Sequence, residues 1–381
     1  MKKNTLENVC VYYKDAGGLR FEKQEHIIPA FLGGKKMLDQ GVVSDQANEL
    51  FSGIEKHVSM ESFINIDRMF FGPGKRGSKN PKKSGSAKIG VMYSLDGRPS
   101  LGYILMGKPK HIMQCILEKN AKGNNIVRIG LDGDQKNNIN VCTDQFWEDL
   151  KKVDIEKTVC ISDSRIPENQ KILGSHKGKW FLAYNSAIDE NLIKQEVNKF
   201  VDKIKNKELD IEQSQECKVI RENPRFEIKY AMDMNKFFRF FAKVAFNVST
   251  YLNGKEFMFS ECFDGIRKAI ISGENINDYV SLCPENPMVK IFDSFNYKEK
   301  YGEHLHSVIC LKQETGYYAV VSFYGFVTSV LIKLTDNLNV RPATATNGFF
   351  CDWENGKEYD MINFIVGLID EETIDNQDRV K

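Results

Sequence analysis

At 381 residues the chain is longer than one hydrophobic core usually grows, which calls for two or three domains. An apolar fraction of 41% and a charged fraction of 28% are those of a folded protein and exclude a chain dominated by disorder. With 53 basic against 52 acidic side chains there is no global basicity, so any attraction for nucleic acid has to be local. The nine cysteines are scattered without a Cys-x-x-Cys pair, as free thiols in a reducing compartment would be. Met1-Lys2-Lys3-Asn4 leads into no apolar signal core, and no run approaches about 18 uncharged apolar residues, so the chain reads as cytoplasmic with no membrane partner.

In chain order, Asn8 to Tyr13 and Leu19 to Ile28 read as two strands around the turn-prone Lys14-Asp15-Ala16-Gly17-Gly18, which predicts a β-hairpin. Gly33-Gly34 suits a loop, and Ser44 or Asp45 caps a helix over about 46–64 with Leu50, Phe51, Ile54 and Val58 on its apolar face. The opening is therefore β-β-α. From Arg68 to Gly90 the composition turns to Gly, Ser, Pro and Lys, with seven basic residues and no acidic one. Residues 1–90 hold 15 basic and 10 acidic side chains, whereas residues 351–381 hold 3 and 9.

Further along, Ile126 to Leu131 and Lys179 to Tyr184 read as strands and Asp189 to Lys205 as a helix. A helix from about 235 to 252 stops at Asn253-Gly254, and a second follows from 260 to 271 before Gly273. A meander over 306–312, 317–324 and 326–334 turns at Glu314-Thr315-Gly316. The fold class is α+β. The expected domains are an N-terminal module at 1–66, a basic linker or nucleic-acid-contacting loop at 67–90, a middle region at 91–215 and a C-terminal region at 216–381.

Chemistry concentrates at Glu25-His26-Ile27-Ile28-Pro29 and at Asn48. Phosphodiester hydrolysis requires a base that makes a hydroxide-like nucleophile near neutral pH and a cation that neutralises the charge developing on phosphorus and the leaving oxygen. Histidine titrates in the right range, and a carboxylate and an amide oxygen are hard ligands suited to Mg²⁺. A strand that ends at Pro29 and a helix that begins near Asn48 could bring the three together, with the helix N-terminus favouring a phosphate. On these residues, and on the Gly33-Gly34 pair after them, residues 8–65 resemble the HNH endonuclease superfamily, in particular its bacterial E-H-I-I-P members.

The resemblance implies a ββα-metal module in which His26 is the general base and Glu25 and Asn48 hold one Mg²⁺ or Mn²⁺. It further implies products ending in 5′-phosphate and 3′-hydroxyl. Relatives that hold a structural zinc carry two Cys-x-x-Cys pairs; here Tyr13 stands after Cys10 in the first, and Ser44 and Ala47 fill the second, so no structural zinc is expected. Packing by Tyr12, Tyr13, Phe21 and Phe51 would take over its role in stability. On an unbroken helix His57 lies roughly 180° from Asn48 and faces away, while Glu55 shares the face of Asn48 but about 10 Å along the axis, too far to share one ion directly.

The basic run Arg68, Lys75, Arg76, Lys79, Lys82, Lys83 and Lys88 is a candidate phosphate-backbone contact, with a solvated linker as the alternative. His304 and His306 alternate as two residues on one strand face would; without a third ligand they read as outward polar residues. Phe237, Phe238, Phe240, Phe241 and Phe246 read as core, as do Phe70 and Phe71. The expected function is an HNH endonuclease acting on DNA in bacterial defence, with the C-terminal region giving substrate choice, activation, or assembly with a second copy or a partner protein. The alternatives are an HNH ribonuclease, or a sensing protein whose HNH module is inert or conditionally active.

Overall fold

The computed structural model describes residues 8–14, 17–74, 88–105, 107–119, 125–130, 139–206, 225–227, 232–283, 301–325 and 328–378. The chain divides into two compact units, Met1–Gly85 together with Tyr230–Lys381, and Ser86–Lys229. The first unit breaks off at Gly85, inside the 67–90 stretch read as a linker, and resumes at Tyr230. The reason is burial: Tyr12, Phe51 and Val58 from the N-terminal segment share one continuous core with Phe240, Phe246 and Phe323 from the C-terminal segment.

The first unit opens without the expected hairpin over 8–28. Among the described residues of that stretch there is one isolated antiparallel bridge, His26 to Met37, flanked by Ile27 N–H donating to Lys36 O at 3.0 Å and Leu38 N–H donating to Glu25 O at 2.8 Å. The pairing partner of the Glu25-His26 segment is thus 36–38, not 8–13. Residues 8–13 are fastened instead by long-range contacts, including Val11 N–H to Val42 O and Arg267 Nε to Val11 O, at 2.9 and 2.7 Å. Among the described residues no strand precedes α1 (Asp45–Glu61), so of the expected β-β-α opening the helix alone is present, capped by Ser44, whose hydroxyl accepts from the Ala47 N–H. Phe51, Ile54 and Val58 on α1 are buried as their spacing predicts, and α2 (Ile64–Phe70) continues from it.

The second unit holds strands β1 (Gly90–Tyr93), β2 (Pro99–Leu105), β3 (Lys108–His111), β4 (Met113–Lys119) and β5 (Asn125–Gly130), then helix α3 (Ile139–Leu150). It continues with β6 (Val159–Ser162), β7 (Gln170–His176), β8 (Lys179–Tyr184), α4 (Glu190–Lys205) and β9 (Arg225–Glu227). Its sheets run β3-β2-β1-β9 and β5-β4-β7-β8-β6. Asp189 caps α4 through Asn191 and Leu192, and Ile193, Val197 and Val201 form the stripe that packs with Leu173 and Leu182 of the sheet.

The chain then returns to the first unit through α5 (Met234–Asn253), α6 (Lys255–Met258), α7 (Asp264–Ser272) and β10 (Val280–Leu282). Strands β11 (Leu305–Gln313), β12 (Gly316–Phe323), β13 (Thr328–Thr335), β14 (Thr346–Asp352) and β15 (Lys357–Asp360) lead to the last helix, α8 (Met361–Asp378). The antiparallel sheet has the order β10-β13-β12-β11-β14-β15. Alternation along β11 and β14 splits their residues between two cores. Val308, Cys310 and Phe349 join the core of α1 and α5, while Leu305, Ile309 and Phe350 pack with Phe364 and Leu368 of α8. Helix α5 is buried nearly all round from Phe237 to Thr250, as a central helix must be. No helix among the described residues is long and apolar enough to cross a membrane.

His306 corrects the outward reading of the histidine pair. It is fully buried on β11, its Nδ1 accepts from the Tyr324 N–H at 3.1 Å, and burial pushes its pKa down to about 3. His304 precedes the strand, and its Nε2 pairs with Glu354 at 3.3 Å. Because the unfolded chain binds a proton at His306 below about pH 6.5 and the folded chain does not, the residue contributes stability above that pH that is lost on acidification towards pH 3. Urea unfolding of His306→Asn, whose amide oxygen can replace Nδ1 as acceptor, is expected to lose stability with falling pH less steeply than the native chain. The difference between the two slopes should be about 1.4 kcal/mol per pH unit within that window.

Candidate active site

Residues 20–25 are laid along the start of α1. Asp45 N–H donates to Arg20 O at 2.8 Å, and the Asp45 carboxylate accepts from the N–H groups of Glu22 and Lys23 at 3.2 and 2.9 Å. Past His26, the chain turns through Pro29 and the left-handed Gly33, then doubles back tightly enough that a Cβ on Gly34 would lie 1.9 Å from Ile28 O. The far arm is pinned by Glu358 of β15, whose carboxylate accepts from Lys35 and Lys36 N–H groups at 3.0 and 2.7 Å.

Helix α5 reaches this dipeptide from more than two hundred residues away. The Lys243 side chain is 2% exposed; its ammonium pairs with Glu25 Oε1, donates to Glu55 Oε1 at 2.6 Å and lies 5.4 Å from the Phe51 ring centroid. One turn on, Asn247 donates to His26 O at 3.0 Å and to Glu25 Oε1 at 3.4 Å, while its own Oδ1 accepts from the Tyr12 hydroxyl at 2.6 Å. Both grips fall on Oε1, and Glu25 Oε2 takes no hydrogen bond among the described residues.

Electrostatics follow from this packing. Burial works against the charge on Lys243, but Glu25 and Glu55 together outweigh it and hold the ammonium above its ordinary pKa. Burial pushes Glu25 up and Lys243 pulls it back, leaving it above the usual carboxylate value. His26 is half-buried, and burial followed by the Lys243 charge lowers its pKa, so its imidazole is neutral at pH 7 and able to accept a proton.

Asn48 sits in the first turn of α1. Its Oδ1 and Nδ2 are both buried and neither has a hydrogen-bond partner among the described residues, although a buried carboxamide normally finds one. A separation of seven residues puts Asn48 and Glu55 on the same face of α1, and through Glu55 that face reaches Lys243 and Glu25. No hydrogen bond joins Asn48 directly to Glu25 or His26. A carboxylate oxygen and an amide oxygen are hard donors of the kind Mg²⁺ or Mn²⁺ takes alongside waters, and among the described residues no group of three or more His, Cys, Asp or Glu side chains gathers as a metal site.

No family model, curated protein or solved structure matches this chain.

The remaining sequence candidates separate clearly. His57 turns to α5, where its Nε2 accepts from the Asp233 N–H at 3.0 Å. Arg68 is engaged internally, its Nε donating to Pro73 O at 3.0 Å and its guanidinium lying 5.7 Å from the Phe31 ring centroid. Lys88 is half-buried, and Lys75, Arg76, Lys79, Lys82 and Lys83 lie outside the described residues. Phe71 packs on the core, with its ring 6.4 Å from Tyr324, whereas Phe70 is exposed. Sequence reasoning missed Lys243, Asn247 and the pairing of Glu55. A signal was present: Lys243 and Asn247 stand four apart in the otherwise apolar Phe240 to Val248 stretch, where a buried amine and amide need partners.

The Gly34→Ala chain should be less stable by about 1–3 kcal/mol, because the obstructing atom at Ile28 is backbone and cannot swing aside. Thermal unfolding together with amide exchange at Ile27 checks this: lower stability with early loss of Ile27 protection is the expected result.

Proposed function

We propose that the chain is a metal-dependent endonuclease of the HNH kind that hydrolyses phosphodiester bonds of DNA, in a bacterial defence setting, through Glu25, His26 and Asn48. The observation that carries this reading is the buried, unpartnered Asn48 carboxamide on the α1 face that leads to Glu25 and His26. Burying an amide with no partner costs about 1–3 kcal/mol, a penalty that persists where the group has a ligand to meet.

Each residue has a definite task. His26, neutral and half-buried, takes the proton from the attacking water at its imidazole. Glu25, held at Oε1 by Lys243 and Asn247, and Asn48, whose carboxamide has no partner among the described residues, would supply the oxygen ligands of the divalent cation. A bound Mg²⁺ or Mn²⁺ supplies the charge that offsets the developing phosphorane and leaving oxygen. The basic surplus of residues 1–90 adds attraction for the phosphate backbone.

The zinc-pair positions of the resemblance also support the reading. Cys10 Sγ accepts from the Ser44 N–H at 3.3 Å, so the two segments that would carry cysteine pairs are in contact. Tyr12 and Phe51 meet edge-on there with ring centroids 4.7 Å apart.

Incubated with plasmid and Mg²⁺ or Mn²⁺, the native chain should cut, whereas His26→Ala should be slower by about 10²–10⁴-fold and Glu25→Gln and Asn48→Ala strongly impaired. Cleavage at equal rates by the native chain and His26→Ala, or cleavage that persists in chelator, would refute the assignment. A labelled RNA strand run in parallel identifies a ribonuclease.

A further inference from the structure

Lys243 lies outside the proposed ligand and base set, yet it touches its centre. Glu25, Lys243 and Glu55 are two carboxylates around one buried ammonium, and taken as charged groups they leave one negative charge over. A purely structural tie between α5 and the N-terminal segment needs no such charge, since buried ion pairs are commonly replaceable by apolar side chains without loss of stability. Here the ammonium and the Asn247 amide both grip Glu25 Oε1, and Asn247 also holds the His26 main chain. That arrangement fixes the carboxylate by one oxygen and directs the other elsewhere.

We infer that Lys243 is a positioning residue for the Glu25–His26 site, an internal cation that orients Glu25 by Oε1 and, with Glu55, sets how strongly the site draws a divalent cation. The inference rests on the proposed endonuclease reading. Two consequences of opposite sign follow. Removing the ammonium leaves two bare carboxylates, so the divalent cation is bound more tightly while Glu25 is no longer held in its working orientation. Removing the Glu55 charge leaves the ammonium to Glu25 alone, so the divalent cation is bound more weakly.

The test is equilibrium Mn²⁺ binding to the full chain, by calorimetry and by loss of the free Mn²⁺ electron paramagnetic resonance signal, alongside plasmid cleavage. Lys243→Met is expected to bind Mn²⁺ about tenfold or more tightly and yet to cut more slowly. Glu55→Gln, which keeps the ammonium paired with Glu25 and so guards against a misfolded first variant, is expected to bind Mn²⁺ more weakly. Near-ultraviolet circular dichroism checks that both are folded. Loss of folding in Lys243→Met leaves the decision to Glu55→Gln. Unchanged or tighter Mn²⁺ affinity in Glu55→Gln overturns the inference, as does unchanged or weaker affinity in a folded Lys243→Met, and the endonuclease reading survives either result if native cleavage still requires His26. If the native chain shows neither Glu25-dependent Mn²⁺ binding nor His26-dependent cleavage, the endonuclease reading fails and the inference falls with it.

Discussion

A single ammonium group in the interior of the first unit sets most of what surrounds it. Desolvating a charge is so costly that Lys243 can stay charged only if carboxylates come to it, and the two that do arrive on different elements, Glu25 on the segment before the His26–Met37 bridge and Glu55 on α1. The one interaction therefore fixes three pieces of chain against each other. Phe51 beneath the ammonium and Asn247 beside it complete the shell, and Tyr12 is drawn in through the Asn247 amide.

That dependence explains why the N-terminal segment has so little regular structure of its own and is nonetheless well placed. Its backbone groups are satisfied by partners far along the chain: Val11 O by Arg267, His26 O by Asn247, the N–H groups of Lys35 and Lys36 by Glu358. Cut away from Tyr230–Lys381, it would expose these groups together with the apolar faces of Tyr12, Phe51 and Val58. The candidate site is accordingly composite: the chemistry-bearing side chains lie before residue 50, and the groups that orient Glu25 and His26 lie on α5.

Much of this was legible in the sequence wherever a local rule governs. Ser44 caps α1, Asp189 caps α4, Gly273 ends α7 in a left-handed conformation, and the meander strands fall where β-branched and aromatic residues alternate. The Glu25-His26 dipeptide and Asn48 were singled out by their chemistry alone; burial lowers the His26 pKa, and the Asn48 amide has no hydrogen-bond partner among the described residues. The hairpin over 8–28 was misread because β-prone composition says that a segment will be extended, not what it will pair with. The arm of Glu25-His26 pairs with 36–38, a stretch with no strand signal, because the tight turn at Gly33-Gly34 makes that the nearest backbone.

By itself the sequence determined the α+β class, the approximate bounds of α1, α4, α5 and α7 and the apolar character of the central helix, because caps and periodicity are properties of neighbouring residues. Only the tertiary structure decided that residues 1–85 and 230–381 form one unit, that His306 is buried and His57 serves α5, and that Lys243 stands between Glu25 and Glu55. Those outcomes depend on which distant groups can satisfy a buried charge or hydrogen-bonding atom. That is settled by three-dimensional packing over separations of some two hundred residues, where no local pattern reaches.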